Sequence, residues 1–245
     1  MKHIFLLSVF LFFLAGCLNS ESTLSIVNPE NINTNETQDE WQETQDYTIV
    51  AELAAENINI YAKKSGELFR DFKIDYKGST YPKPYWMNIT NPTWAPYIIY
   101  KDIDTNGKEE LVIILTVGAG TGVLEQEAHV FRIENNTLVE VLVDNPIAVV
   151  LKNTITKLSP SEAEISIGDR KYKIDVKQLG IQPETLFDDL YFGNNIKFDV
   201  NDNNQLIAKV GVQISPTTVI GEIVIVYEFQ DKMYQAKSID FQSYD

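Results

Sequence analysis

Between two apolar runs, Asp102-Ile103-Asp104-Thr105-Asn106-Gly107-Lys108-Glu109-Glu110 places side-chain oxygens at loop positions one, three and five, glycine at six and a carboxylate at nine. A hard cation such as Ca2+ takes about six to eight oxygens at ~2.3–2.6 Å. A chain that curls around it offers alternate side chains plus the carbonyl at position seven, here Lys108. Glycine at six permits the sharp turn that brings the two halves together. Carboxylates held that close repel one another unless a cation offsets them. The same residues also suit a metal-free hairpin, because Asn106-Gly107 between strands is a sufficient turn. Both readings stay open at this point.

Glu125, Glu127 and His129 form a second set, at i, i+2 and i+4 of an expected strand. That spacing puts all three on one face with Cα steps of ~6.6 Å. Two carboxylates so placed suit acid and base roles in glycoside cleavage, and with the histidine they suit a transition metal. Phe131 and Ile133 continue the same face, which favours a partly buried strand with charged residues at its exposed end. Gly118-Ala119-Gly120-Thr121-Gly122 lacks the GxGxxG spacing, a following Lys-Ser/Thr and a following helix, so it reads as a mobile hairpin loop rather than a phosphate cradle. No GxSxG nucleophile motif is present. One cysteine and two histidines exclude disulfide frameworks and thiolate zinc sites.

The elements that must position these residues are strands. Residues 58–61 and 68–76 flank a turn at Lys64-Ser65-Gly66-Glu67, and the second run alternates with period two. Residues 97–100 pair with 111–117 around Asn106-Gly107, 123–133 with 138–143, and 163–167 with 171–176. Further strands are expected at 206–214, 222–229 and 234–241. Pro183 at a first-turn position and Leu186, Phe187 and Leu190 at helical spacing predict one short helix over 183–191. Tyr81, Tyr85, Trp86, Trp94 and Tyr97 interleave with Pro82, Pro84, Pro92 and Pro96, a proline-stiffened loop whose rings cap the core or else present stacking surfaces. The fold expected is mainly β, a sandwich or partial-propeller-like arrangement of antiparallel hairpins with one short helix.

The chain has 245 residues, with 20 basic against 35 acidic side chains and a formal charge of -15. That acid excess repels phosphate and argues against nucleic acid as a partner. Residues 1–16 join Lys2 and His3 to an apolar run from Ile4 to Ala15. These twelve residues, apolar apart from Ser8, rise only about 18 Å as a helix, too little for a ~30 Å hydrocarbon core, so the run reads as a signal peptide. Residues 17–46 then form an acidic stretch without Lys or Arg, expected to be a disordered tether, and 47–245 a single β-rich domain.

Two resemblances add to this. Leu14-Ala15-Gly16-Cys17 resembles the lipobox of bacterial lipoproteins. The resemblance implies cleavage before Cys17, a diacylglyceryl group on its thiol, acylation of the new N-terminus and an extracytoplasmic body anchored to the cell membrane. The acidic loop resembles the calcium loops of FG-GAP and VCBS-type extracellular β-propeller repeats. By that resemblance Asp102, Asp104, Asn106 and Glu110 supply side-chain ligands and Lys108 a carbonyl. The loop departs from an EF-hand, since position twelve is Ile113 where a bidentate Glu is needed. Asp199-Val200-Asn201-Asp202-Asn203-Asn204 echoes the loop without its glycine and reads as a turn. The expectation is therefore a lipid-anchored envelope protein without catalytic activity. It holds one structural Ca2+ and faces a wall polymer or an envelope protein. The alternative is a wall-directed hydrolase using Glu125 or Glu127. A two-lobed solute receptor does not fit, for want of alternating helices and parallel strands.

Overall fold

The computed structural model describes residues 46–244, so the leader, Cys17 and nearly all of the acidic tether lie outside the described residues. Period-two alternation produces a meander of four antiparallel strands: β1 (Thr48–Leu53), β2 (Ile58–Ser65), β3 (Leu68–Tyr76) and β4 (Ser79–Ile89). One face of β2 and β3 is fully apolar, with Ile58, Ile60, Phe72 and Ile74 buried. The expected 58–76 hairpin is present, with Ile60 opposite Ile74.

The aromatic segment differs from the loop expected of it. Residues 79–89 are the edge strand β4, where Pro82 and Pro84 are tolerated because an edge strand has one side without a ladder. Trp86 and Tyr81 turn inward to the core while Tyr85 is 93% exposed.

β5 (Tyr97–Lys101), β6 (Glu110–Gly120), β7 (Val123–Glu134) and β8 (Thr137–Val141) follow as successive hairpins. The glycine-rich run is the end of β6 and a tight turn at Thr121-Gly122, where Gly122 has φ +72°. Next comes α1 (Pro146–Asn153), capped by Asn145, whose side-chain oxygen accepts from the Ala148 amide at 3.0 Å, with Pro146 at the first helical position. A smaller sheet of β9 (Thr154–Leu158), β10 (Glu162–Ile167) and β11 (Arg170–Asp175) is succeeded by β12 (Tyr191–Val200), β13 (Leu206–Ser215), β14 (Thr218–Gln230) and β15 (Met233–Ser243).

The helix expected over 183–191 does not form. Pro183–Thr185 makes a single 3-10 turn, Leu186 returns to extended geometry and the Phe187 amide donates to the Ile214 carbonyl at 2.9 Å. Docking onto β13 outweighs a short segment's weak helical preference. Among the described residues the one α-helix is α1.

The large sheet runs β15-β14-β13-β12-β7-β6-β5 with β8 also on β7, and it is antiparallel except where β12 meets β7. Alternation along β6 feeds two cores. Leu111, Ile113 and Leu115 pack against the four-stranded sheet, whereas Val112 and Ile114 join the core shared with β10, α1 and β12–β15. The protein is thus mainly β and sandwich-like. Gly221 marks its tightest point, since a Cβ there would lie 2.3 Å from the Gln242 carbonyl and 2.7 Å from the Phe241 ring. Gly221→Ala is expected to cost about 3 kcal/mol, the upper part of the overpacking range, because a backbone oxygen cannot swing aside. Urea unfolding checks this by its midpoint.

Candidate functional site

Two places gather chemistry: the acidic loop between β5 and β6, and a cleft along one side of β7. In the loop, Gly107 has φ +83°, and the turn folds the backbone back onto its own carboxylates. Asp102 accepts from the Asn106 amide at 3.1 Å and the Gly107 amide at 2.8 Å, and Asp104 also accepts from Asn106 at 3.1 Å. Asn106 accepts from the Lys108 amide at 2.9 Å. Glu110, the first residue of β6, is 1% exposed and accepts from the Ile103 amide at 3.0 Å.

One carboxylate oxygen from each of Asp102, Asp104 and Glu110 falls within a group spanning no more than 4.8 Å. Burial pushes the Glu110 carboxyl up to about 7; the Ile103 amide and Arg132 pull against that, and the neighbouring Asp104 and Asp102 charges add to it. A solvent-open hollow of about 340 Å³, lined by Lys108, Glu110 and Arg132 among others, gives access from outside.

Two members of this site were not read from the sequence. Arg132 pairs with Asp104 at 3.2 Å and lies 4.1 Å from the centre of the Phe229 ring. The β6–β7 register sets Leu111 opposite Phe131, so counting one step along that hairpin would have placed Arg132 across from Glu110. Tyr234 is fully buried, its hydroxyl has no hydrogen-bond partner, and burial and the Glu110 charge both hold it protonated. No local signal marks it, because β15 reaches this place through the fold alone.

The arrangement fits a hard cation. All the anionic donors are oxygens, three carboxylates converge, and a buried hydroxyl near them lacks a partner. Arg132 already offsets part of the charge, so the loop also closes as a metal-free turn. Asn201 does similar work in the echo loop by accepting from Asn203 and Gln205, and no acidic group converges there among the described residues.

The cleft holds about 400 Å³ and is lined by Glu125, Glu127, His129 and Glu140 among others. His129 lies flat on Trp86, ring centres 4.1 Å apart. Its Nδ1 is 3.1 Å from Glu140 Oε1 and its Nε2 is 3.7 Å from Glu127 Oε2, while Lys83 on β4 holds the other Glu140 oxygen at 2.5 Å. This cluster ties the two sheets together across their seam.

Burial alone would lower the His129 pKa, but the Glu127 and Glu140 carboxylates outweigh it and the net direction is upward. His129 and Lys83 in turn hold Glu140 down at about 2, and Glu127 is lowered by His129. A raised histidine contributes stability that is complete below its unfolded value of about 6.5 and is lost as pH rises through its folded value. The lowered glutamates contribute above about 4.5, and that contribution is lost as pH falls towards 2. A stability profile from pH 5 to 9 is thus expected to fall through the histidine range, and His129→Gln should flatten that fall.

Comparison with protein-family models, with curated proteins and with solved structures returned no match. Among the described residues no helix is long and apolar enough to cross a membrane.

Proposed function

We propose that this chain is a lipid-anchored, extracytoplasmic lipoprotein of the bacterial cell envelope, a binding or structural protein that holds one structural calcium ion. The observation that carries the reading is the order of basic end, apolar run, Leu14-Ala15-Gly16 and the chain's single cysteine, Cys17. Two acyl chains on that residue anchor a protein durably, since each buried CH2 contributes ~0.8 kcal/mol. Convergence of Asp102, Asp104 and Glu110 supports the ion, which would tie β6 to the loop that follows β5 and stiffen one end of the large sheet. In this role calcium neutralises charge and performs no reaction.

The hydrolase alternative draws on Glu125 and Glu127 lining one cleft. Glycoside cleavage needs one carboxyl whose pKa is raised so that it can donate a proton. Glu127 is shifted the opposite way by its pairing with His129, which speaks against it as the proton donor.

The test is full-length protein expressed in bacteria and labelled with an alkynyl fatty acid. The expected result is label on the membrane fraction and none after Cys17→Ser. Mass spectrometry finding an intact start methionine on soluble material would end the proposal.

A further inference from the structure

We infer that the cleft beside β7 binds a small organic cation, with ammonium or guanidinium groups carried on a short alkyl chain. The cleft exists because the large sheet forks. β12 pairs with β7 only at Asn195–Leu124 and Ile196–Glu125, and β8 takes over that edge from Val130 onward. Between them, residues 126–129 of β7 have no strand on that side, and the Gln126 side chain bridges part of the gap by accepting from the Phe198 amide at 3.0 Å. A gap of about 400 Å³ inside a sheet is in the size range of small-molecule sites.

Its lining chooses the sign of the ligand. Glu125, Glu127, Glu140 and Asp144 face it with no Lys or Arg, so an anion is repelled. Glu140 is committed to Lys83 and His129, and an Asp144 oxygen accepts from the Ala236 amide at 3.2 Å. That leaves Glu125, which has no ion pair among the described residues, and Glu127, whose one partner stands 3.7 Å away. His129 Nε2 is shielded from solvent beside them and makes no hydrogen bond.

The shape then chooses the kind of cation. A divalent metal needs carboxylate oxygens that converge, and among the described residues the acidic loop is where three such groups do so. The cleft's carboxylates come from β7 (Glu125 and Glu127), β8 (Glu140) and the segment after it (Asp144) and do not converge in that way, which suits a multi-atom cation. Val141, Val143, Ile196 and Phe198 offer the apolar surface for its alkyl chain. The inference deepens the binding half of the proposed function without depending on the anchor, because fatty-acid labelling and ligand titration can each fail alone.

Calorimetric titration of the detergent-solubilised full chain, in calcium-containing buffer so that the loop does not compete, tests it with agmatine as the probe and glutarate as its anionic counterpart. One agmatine is expected per chain, with no heat from glutarate. Glu125→Gln with Glu127→Gln should weaken agmatine about tenfold or more, as losing two charge-assisted contacts implies. Glu162→Gln with Glu164→Gln makes the same charge change at a separate acidic hollow between β9 and β10, where Lys171 and Lys173 already pair with those residues, and should leave affinity within about twofold. No agmatine binding at millimolar concentration, equal weakening by both pairs, or glutarate binding as tightly would each overturn the inference. Glu127→Gln gives up the stability that pairing with His129 contributes, so both pairs are titrated at a temperature where their melting curves show them fully folded.

Discussion

Trp86→Ala is expected to lower unfolding stability by about 3–5 kcal/mol, the range for removing a large buried aromatic ring. Trp86 is 7% exposed and sits where the four-stranded sheet meets β7. Phe72 and Phe131 approach it at 6.1 Å, His129 stacks on it, and the Lys83 ammonium is 5.5 Å from its centre. Truncation therefore opens a cavity and removes the surface against which the imidazole is oriented. The seam has both apolar and ionic parts, so His129→Gln on the Trp86→Ala background should cost less than on the parent. Contacting residues typically couple by about 0.5–3 kcal/mol in such cycles. Urea unfolding of the four variants supplies the cycle. A Trp86→Ala cost below 1 kcal/mol, or strict additivity with His129→Gln, would show that the seam is held elsewhere.

Calcium at millimolar concentration is expected to raise the melting temperature, and Asp102→Ala with Asp104→Ala to abolish that rise. Extracellular sites commonly have Kd values of ~0.1–1 mM, so calcium at about 10 mM stands at about 10–100 times Kd and stabilises by about 1.4–2.7 kcal/mol. For a domain of this size that corresponds to roughly 3–10 °C. Glu110→Gln separates the ion from the turn. In the metal-free protein a buried carboxyl held up at about 7 binds its proton more tightly folded than unfolded, so its contribution to stability falls as pH rises from about 4.5 through 7. Glu110→Gln should then stabilise the metal-free protein at pH 8 while removing most of the calcium response. If calcium shifts the parent melting curve by less than 1 °C at 10 mM, the loop is a plain hairpin turn.

The acidic loop was legible because its chemistry is local: six consecutive residues, Asp102 to Gly107, carry the donors and the turn, and Glu110 follows within the next strand. The hairpins were legible for the same reason, since turn residues and period-two alternation lie side by side in the chain. Where short-range propensity meets long-range contact, the contact prevails. Residues 183–191 have helical spacing, yet Leu190 is buried in the main core and Phe187 bonds to β13. Residues 146–153 carry an Asn-Pro start, but so short an apolar run fits helix and strand alike, and packing into the main core is what makes it α1. Prolines in 79–89 spoke against a strand, and only an edge position made one possible.

What the amino-acid order decided by itself was the β character of the body and the acid balance, with the apolar N-terminal run ending at Cys17 and the cation loop as candidates. Tertiary structure alone decided that Tyr234 stands beside that loop, that Trp86 covers His129, and that β12 and β8 part to leave a cleft along β7. The physical reason is separation along the chain. A turn is specified by neighbours a few residues apart, whereas His129 meets Trp86 across 43 positions, through a sheet register that no local pattern encodes.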